Sequence, residues 1–343
     1  MFVGAILRSP FCAAESIRVE RRLKNATLDP PPVFIIGHWR SGTTLLHNLM
    51  SRDPAFCFPT ITDALRPYDF FPSPFEPISR AILTRALPAT RPMDDLPLQA
   101  GLPQEDEIAL AAMGAPSLFN CFYFPTGMSR VFAREVLLEG LTDAQASRWR
   151  RSLRYYLCKL ALLSRGRRLL IKNPAHGARV AELRKLFPGA KFIHIHRDPL
   201  EVIASTRKLY RALLPLLALQ DYDLAEVEEH IAWSYPRMMD RILAQTAALP
   251  GQQLAEISFP ALLRDPVAAI KDLYARLDLG DVAPLRAALP ERGRPQIRPP
   301  QPAEASDLNF AARYSELVAP YRQRLGYAQS ANTVVAACIS EKQ

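Results

Sequence analysis

Long apolar runs are scarce in this sequence. The longest aliphatic stretch, residues 212–219, is interrupted by Pro215, and a membrane-spanning helix needs about 20 consecutive apolar residues. Near the N-terminus, Arg8 and the charged segment 18–24 flank a short apolar stretch that lacks the hydrophobic core of a secretory signal. We therefore expect a cytoplasmic protein without a transmembrane segment.

Cysteine is also sparse, and no pair has metal-binding or redox spacing. The five cysteines are odd in number and include no CxxC motif, so we expect reduced, mostly packed thiols. His194 and His196 lie on the same side of a predicted strand and could chelate a metal, but the sequence supplies no third ligand nearby. We expect packed, neutral histidines at these positions and no metal site.

Gly/Ser linkers and charge blocks that would divide the chain are absent as well. The chain of 343 residues, with 49% hydrophobic and 22% charged positions, has an ordinary globular composition. We expect one domain over residues 1–343, with a core at about 32–279. A proline-rich, partly helical insertion is expected at about 58–140.

The net charge of +9 favours anionic partners, a class that includes nucleic acid, acidic lipid and phosphorylated nucleotides. The basic clusters at 148–154 and 165–168 show no recognition-helix pattern and are typical of a solvated basic face. We therefore expect no nucleic-acid partner. The sequence does not determine the oligomeric state.

Strand and helix patterns alternate along the chain. Short apolar runs predict strands at 33–36, 169–171, 191–196 and 254–257, and helical periodicity follows from Thr43 and over 178–187, 224–246 and 266–277. Thr142 and Gln145 form a possible capping box before a long amphipathic helix. Such alternation predicts an α/β fold of the P-loop NTPase type, in which a parallel sheet has helices on both faces.

The loop 37–44 lies between the first predicted strand and its helix, where backbone N–H groups and the helix dipole bind anions. Gly37 and Gly42 have the separation of the Walker A glycines, but Thr43 stands where that motif requires lysine. Arg40 supplies a cation inside the loop instead. A degenerate P-loop kinase or NTPase, and a glycine turn that only caps a helix, are the alternatives to a specialised phosphate site.

The segment Arg40, Ser41, Gly42, Thr43, Thr44 resembles the 5′-phosphosulfate loop of the sulfotransferases that depend on 3′-phosphoadenosine-5′-phosphosulfate (PAPS). The arginine form is similar to the tyrosylprotein and bacterial branches of that superfamily. The resemblance implies that these five residues bind the donor. It implies transfer of a sulfuryl group to a hydroxyl or amine, with release of adenosine 3′,5′-bisphosphate. We expect no metal, because the cations Arg40 and Lys172 can stabilise the charge that grows on the leaving nucleotide.

Three further segments resemble the same superfamily, and the resemblance covers about residues 32–279. Arg197 and, eight residues later, Ser205 match the pair that binds the 3′-phosphate in the family. Lys172, at a predicted strand end, matches the lysine that contacts the transferring group. Phe259 stands where the family more often has a tyrosine near the adenine.

The sequence does not identify the general base. Glu105 is the first candidate, because the acidic run 105–107 resembles a recurrent stretch in bacterial relatives. His176 is the second candidate, two residues beyond Pro174, where the cytosolic branch has its histidine. The acidic run is equally typical of a helix N-terminus, where carboxylates complement the dipole. The remaining candidates are Asp106, Glu107, Asp94 and Asp63.

The acceptor is equally open, and carbohydrate, lipid and small molecule are all compatible with the donor site. The apolar segments 119–124 and 212–219 could line a lipophilic acceptor pocket or belong to the core. A non-catalytic protein that binds nucleotides or polyanions is the alternative outside enzymes.

Overall fold

The computed structural model describes residues 28–68, 99–288 and 304–327, with short pieces at 17, 19–21, 81–82, 84–87 and 89–90. The described strands are β1 (Val33–Ile36), β2 (Phe56–Cys57), β3 (Arg168–Lys172), β4 (Lys191–His196) and β5 (Leu254–Ser258). They form a sheet of order β2-β3-β1-β4-β5. Every pair is parallel, so the predicted parallel sheet is confirmed.

The helices before β3 are α1 (Thr43–Met50), α2 (Ile61–Leu65), α3 (Asp106–Ala112), α4 (Phe119–Tyr123), α5 (Met128–Glu135) and α6 (Asp143–Ser164). Between β3 and β5 lie α7 (Val180–Leu186), α8 (Pro199–Leu217) and α9 (Leu224–Ala247). After β5 come α10 (Phe259–Arg264), α11 (Pro266–Leu277), α12 (Ala283–Ala288), α13 (Ala305–Ala312) and α14 (Ser315–Arg324). Short 3₁₀ helices occupy Pro174–Arg179 and Gly251–Gln253.

Helices cover both faces of the sheet. The four residues of β1 are all fully buried, and their side chains alternate between two apolar clusters. Phe34 and Ile36 pack with Trp149 and Tyr156 of α6, whereas Val33 and Ile35 pack with α1 and α11. Burial on both faces explains why the strand is a continuous apolar run rather than an alternating one.

A third apolar cluster is centred on α8 and α9, with contributions from α4, α5, α13, α14, the 3₁₀ helix Pro174–Arg179 and residues that flank α4 and α5. It places α8 beside the sheet edge at which β4 ends. The predicted capping box of α6 is present, because the side chains of Thr142 and Gln145 each accept from the other's backbone N–H.

The helix predicted at 178–187 begins differently in the structure. A 3₁₀ helix over Pro174–Arg179 comes first, and α7 starts only at Val180. Asn173 causes this early start, because its side chain accepts from the N–H of Ala175 at 2.9 Å and Pro174 supplies a preset φ angle.

Cys57, Cys121 and Cys158 are free thiols, while Cys12 and Cys338 lie outside the described residues. None of the helices in the described part of the chain is long and apolar enough to cross a membrane. The boundaries of the proposed core and insertion stay predictions.

Candidate active site at the carboxyl edge of the sheet

The predicted site residues converge because all strands are parallel and end at the same edge. The loop after β1 carries Arg40, β3 ends in Lys172, β4 leads into Arg197 and β5 leads into Phe259. β1 is central, with β3 on one side and β4 on the other. In open α/β sheets, ligands bind outside the carboxyl ends of strands at such a switch in strand order.

The loop between β1 and α1 exposes helix N–H groups to a ligand. Gly42 precedes α1 with a φ of 99° and offers no side chain as a cap, and the first turn of α1 contains no acidic residue. The Ser41 hydroxyl is occupied within the loop, because it donates to the carbonyl of His38 at 2.7 Å. The uncapped N–H groups and the positive end of the helix dipole suit an anion.

Phe259 packs directly against the glycine of this loop. A Cβ atom placed on Gly42 would lie 2.2 Å from Cδ2 of the Phe259 ring, so only glycine allows the approach. On the other side, the Arg197 guanidinium lies 5.0 Å from the centre of the same ring, a cation–π distance. Phe259 therefore connects the loop with the end of β4.

Arg40 crosses from the loop to α8. Its backbone has a φ of 68°, and its Nε donates to the Ser205 hydroxyl at 2.8 Å. Arg197 instead pairs with Glu201 one helical turn away, with Nε to Oε2 at 2.5 Å. The structure thus links Ser205 to Arg40, and the joint function predicted for Arg197 and Ser205 stays a prediction.

The Lys172 side chain contacts both α1 and the acidic run 105–107. Its Nζ lies 2.5 Å from Oε1 of Glu105 and donates to the Thr44 hydroxyl at 3.3 Å. The Lys172 side chain is only 3% exposed, whereas that of Glu105 is 22% exposed. A carboxylate and an ammonium, one of them accessible to a ligand, therefore meet at the end of β3.

The two other carboxylates of the acidic run point into the protein. Asn173 Nδ2 donates to Asp106 at 2.9 Å and to Glu107 at 2.7 Å. His176 Nε2 lies 2.8 Å from Asp106, and the Arg179 guanidinium forms two bonds to Glu107, at 3.0 and 3.3 Å. This buried network, formed by Asp106, Glu107, Asn173, His176 and Arg179, anchors the first turn of α3 to the chain after β3.

Asn173 and Arg179 were missed at the level of sequence. Together with His176 they recur at every third position, and a 3₁₀ helix has three residues per turn, so their side chains lie on one face. The spacing was the available signal. It was not interpreted because the helix was predicted to begin only at residue 178, beyond Asn173 and His176.

The other candidate bases have different surroundings. His176 is fully buried, with its ring against Phe34 and Trp149. Asp63 caps α2 by accepting from the N–H and hydroxyl of Thr60. Asp94 lies outside the described residues. Among the candidates that are described, Glu105 is the carboxylate paired with a cation at the sheet edge.

Glu107 is held ionised by its partners. Burial alone would raise the pKa of this carboxyl, but the Arg179 guanidinium and the Asn173 amide outweigh burial and hold the pKa below its usual value. The folded state therefore favours the carboxylate. Its contribution to stability is present above the ordinary pKa and is lost as the pH falls through the lower, folded value.

Burial favours the neutral form of three histidines near the sheet, His38, His47 and His196. Burial lowers the pKa of His38 to about 4 and that of His47 to about 3. Burial and the neighbouring His194 lower the pKa of His196 to about 4, and His194 itself bonds Glu256 at 3.0 Å. Within the described ranges, no three His, Cys, Asp or Glu side chains gather as a metal site.

The two apolar segments considered for an acceptor pocket touch each other. The N–H of Leu219 donates to the carbonyl of Tyr123 at 2.9 Å. Phe122 belongs to the helical core, whereas Phe124 and Leu216 expose 44% and 62% of their surface. The segments therefore contribute to the core and also carry exposed apolar side chains.

The fold and the site define an α/β protein whose loop between β1 and α1 has the glycine separation of a Walker A loop but lacks its lysine. Residues 31–283 match the sequence model of the Sulfotransferase family. The chain belongs to this family, and the predicted family resemblance is confirmed.

The chain is similar to the omega-hydroxy-beta-dihydromenaquinone-9 sulfotransferases Stf3 of Mycobacterium bovis and Mycobacterium tuberculosis. Each is 31% identical over 262 residues, which span 76% of this chain and 66% of the relative. The alignment therefore leaves about a third of each relative unmatched.

Two solved structures have a similar fold. Sulfotransferase STF1 of M. tuberculosis H37Rv aligns with a TM-score of 0.65 at 19% identity, covering 81% of this chain and 74% of that structure. Sulfotransferase STF9 of Mycobacterium avium aligns with a TM-score of 0.64 at 20% identity, covering 88% and 80%. The predicted fold class is confirmed.

Gly42→Ala should lower the melting temperature more than Gly280→Ala. Both glycines have a positive φ, 99° and 97°, so both variants incur about 1–2 kcal/mol of backbone strain. Only the Cβ at position 42 meets the Phe259 ring, whereas a Cβ at position 280 meets nothing within 4 Å. Calorimetry of the two variants tests the packing of Phe259, and equal melting temperatures would contradict it.

Glu107→Gln should destabilise the protein by about 3–5 kcal/mol at neutral pH, because it leaves the Arg179 cation buried without its carboxylate. The variant should also lose less stability than the wild type as the pH falls below 4.5, the ordinary pKa of this carboxyl. Urea unfolding on both sides of that pH measures both effects.

The matched control is Glu139→Gln, which breaks the exposed pair of Glu139 with Arg241. This variant should lower the free energy of unfolding by less than about 1 kcal/mol. An equal loss in both variants would show that the buried network contributes no more than a surface ion pair.

Proposed function

We propose that this protein transfers a sulfuryl group from PAPS to the hydroxyl of a lipophilic acceptor, with release of adenosine 3′,5′-bisphosphate. The observation that carries the proposal is the meeting of an uncapped helix N-terminus, the Lys172 ammonium and the Glu105 carboxylate at one sheet edge. Family membership supplies the reaction class.

The donor would be held by cations and backbone N–H groups. Loop residues 41–44 suit its 5′-phosphosulfate, with Arg40 as the cation inside the loop. Arg197 suits the 3′-phosphate because a guanidinium binds phosphate through two parallel bonds. Phe259, between the loop and Arg197, offers a ring face for the adenine.

Lys172 and Glu105 have complementary tasks in this proposal. As the acceptor oxygen attacks sulfur, the bond from sulfur to the bridging oxygen breaks and negative charge grows on the leaving bisphosphate. The Lys172 ammonium, fixed by Thr44 and Glu105, stabilises that charge. The Glu105 carboxylate takes the hydroxyl proton as the general base.

Glu105 is favoured over His176 as the base by position. The Glu105 side chain is partly exposed at the sheet edge, whereas His176 has no exposed surface and its Nε2 is occupied by Asp106. A base must come within hydrogen-bond reach of the hydroxyl. His176 is therefore proposed to hold Asp106, and through it the first turn of α3.

A lipophilic acceptor is supported by two observations. The relatives of M. bovis and M. tuberculosis are sulfotransferases for an omega-hydroxylated dihydromenaquinone. The segments 119–124 and 212–219 meet where Leu219 bonds Tyr123. They carry the exposed side chains Phe124 and Leu216, whose apolar surface suits a lipophilic acceptor. An omega-hydroxylated menaquinone is therefore the first acceptor to test.

The proposed donor site predicts a specific ligand response. Adenosine 3′,5′-bisphosphate should raise the melting temperature, while ADP, and ATP with magnesium, should raise it less, because a ligand stabilises the state that binds it. Arg197→Ala should abolish the advantage of the bisphosphate. A larger shift with ATP and magnesium would indicate phosphoryl transfer by a degenerate P-loop enzyme.

Lys172→Ala and Glu105→Gln should each lower kcat by about 100-fold or more, since each removes a contact made at the reacting atoms. Release of bisphosphate in the presence of acceptor measures the rate. The controls are Lys185→Ala and Glu139→Gln, which remove the same charges from exposed pairs. Near-normal rates in Lys172→Ala and Glu105→Gln, with bisphosphate binding retained, would exclude catalysis at this edge and leave a binding protein.

A further inference from the structure

α14, the last helix in the described part of the chain, reaches the sheet edge at which β4 ends. It lies beyond residues 31–283, the part of the chain that matches the family. Two residues, Arg322 within α14 and Tyr327 just after it, contact the chain on both sides of Arg197. Neither residue belongs to the proposed catalytic apparatus.

Arg322 fixes the residue that follows Arg197. Its Nε and Nη2 donate to the two carboxylate oxygens of Asp198 at 3.1 and 3.0 Å. The two side chains are only 12% and 11% exposed. Asp198 Oδ1 also accepts from the N–H of Leu200 at 3.0 Å and so caps α8. A two-bond pair with this little exposure fixes the orientation of the carboxylate.

Tyr327 fixes the residue that precedes Arg197. Its hydroxyl lies 3.1 Å from Nδ1 of His196 and donates to the His196 carbonyl at 3.2 Å. The residue is 9% exposed. Burial raises the pKa of Tyr327, with Asp198 and Glu201 adding to the effect, so the phenol keeps its proton and can donate.

The residues on both sides of Arg197 are thereby fixed, while its own side chain lies between Glu201 and the Phe259 ring. The guanidinium contacts Glu201 and the Phe259 ring, and the ring packs against Gly42 of the phosphate loop. A small rotation of the backbone at Arg197 would move the guanidinium away from this position, because the side chain is long.

We propose that Arg322 and Tyr327 act as positioning residues that set the preference for a nucleotide with a 3′-phosphate, by holding Arg197 beside the phosphate loop. This inference rests on the proposed function. It assigns a function in donor selection to the segment around α14, which lies outside residues 31–283 that match the family.

The helix has an anchor that does not involve the donor edge. The Tyr321 hydroxyl donates to Asp240 of α9 at 2.8 Å, and its ring packs edge-on against Tyr235. Loss of the Arg322 side chain therefore removes the contact with Asp198 and leaves α14 attached to α9. A substitution at Arg322 can be tested in the folded protein.

The test compares two nucleotides that differ only in the 3′-phosphate, adenosine 3′,5′-bisphosphate and adenosine 5′-monophosphate, by titration calorimetry. In Arg322→Gln the ratio of the two affinities should fall about tenfold or more, while the affinity for the monophosphate stays within about twofold of the wild type. A variant that is merely less stable would lose affinity for both nucleotides to the same extent.

The matched control is Arg324→Gln, which removes the same charge from an exposed position on the same helix. It should leave the ratio unchanged. Tyr327→Phe removes one hydroxyl only and should lower the ratio in the same direction, which keeps the test valid if Arg322→Gln does not fold.

The outcomes separate the two proposals. A wild type that binds both nucleotides equally overturns the donor assignment itself. A wild type that prefers the bisphosphate, with the preference intact in Arg322→Gln and Tyr327→Phe, overturns only the function assigned to Arg322 and Tyr327.

Discussion

The ion pair between Lys172 and Glu105 joins the two parts of the chain that form the site. Lys172 belongs to the sheet, and Glu105 belongs to the helical segment between β2 and β3. Because the ammonium also bonds Thr44 of the loop 37–44, a single side chain links that loop and the Glu105 carboxylate. This contact sets the position of the proposed base relative to the loop 37–44.

The buried network behind Glu105 makes that position rigid. An ionised carboxylate buried without partners costs several kcal/mol, so Asp106 and Glu107 can enter the interior only if Asn173, His176 and Arg179 meet them there. Their partners all follow Lys172 directly in the chain. The same short segment therefore supplies the proposed leaving-group cation and the groups that hold the acidic run in register with it.

The sequence predicted four of the five described strands, because these are apolar runs with glycine or proline nearby, whereas the two-residue β2 was not predicted. β1 and β4 have the predicted bounds, and the strand predicted at 169–171 extends one residue at each end to include Lys172. The loop 37–44 was singled out as a candidate anion site because its glycines and hydroxyl residues lie between a predicted strand and a predicted helix. Backbone N–H groups at such a helix N-terminus can bind an anion. What the sequence could not show was contact across long separations. Glu105 and Lys172 are 67 residues apart, and Asp198 and Arg322 are 124 apart.

The most direct test of the account is to incubate the protein with PAPS and an omega-hydroxylated menaquinone and to follow both products by mass spectrometry. The account predicts a sulfated quinone and adenosine 3′,5′-bisphosphate in equal amounts, and formation of both at least about 100-fold more slowly with Lys172→Ala. A sulfated product that forms equally well with Lys172→Ala would contradict the proposed site. Consumption of ATP in place of PAPS would contradict the proposed reaction.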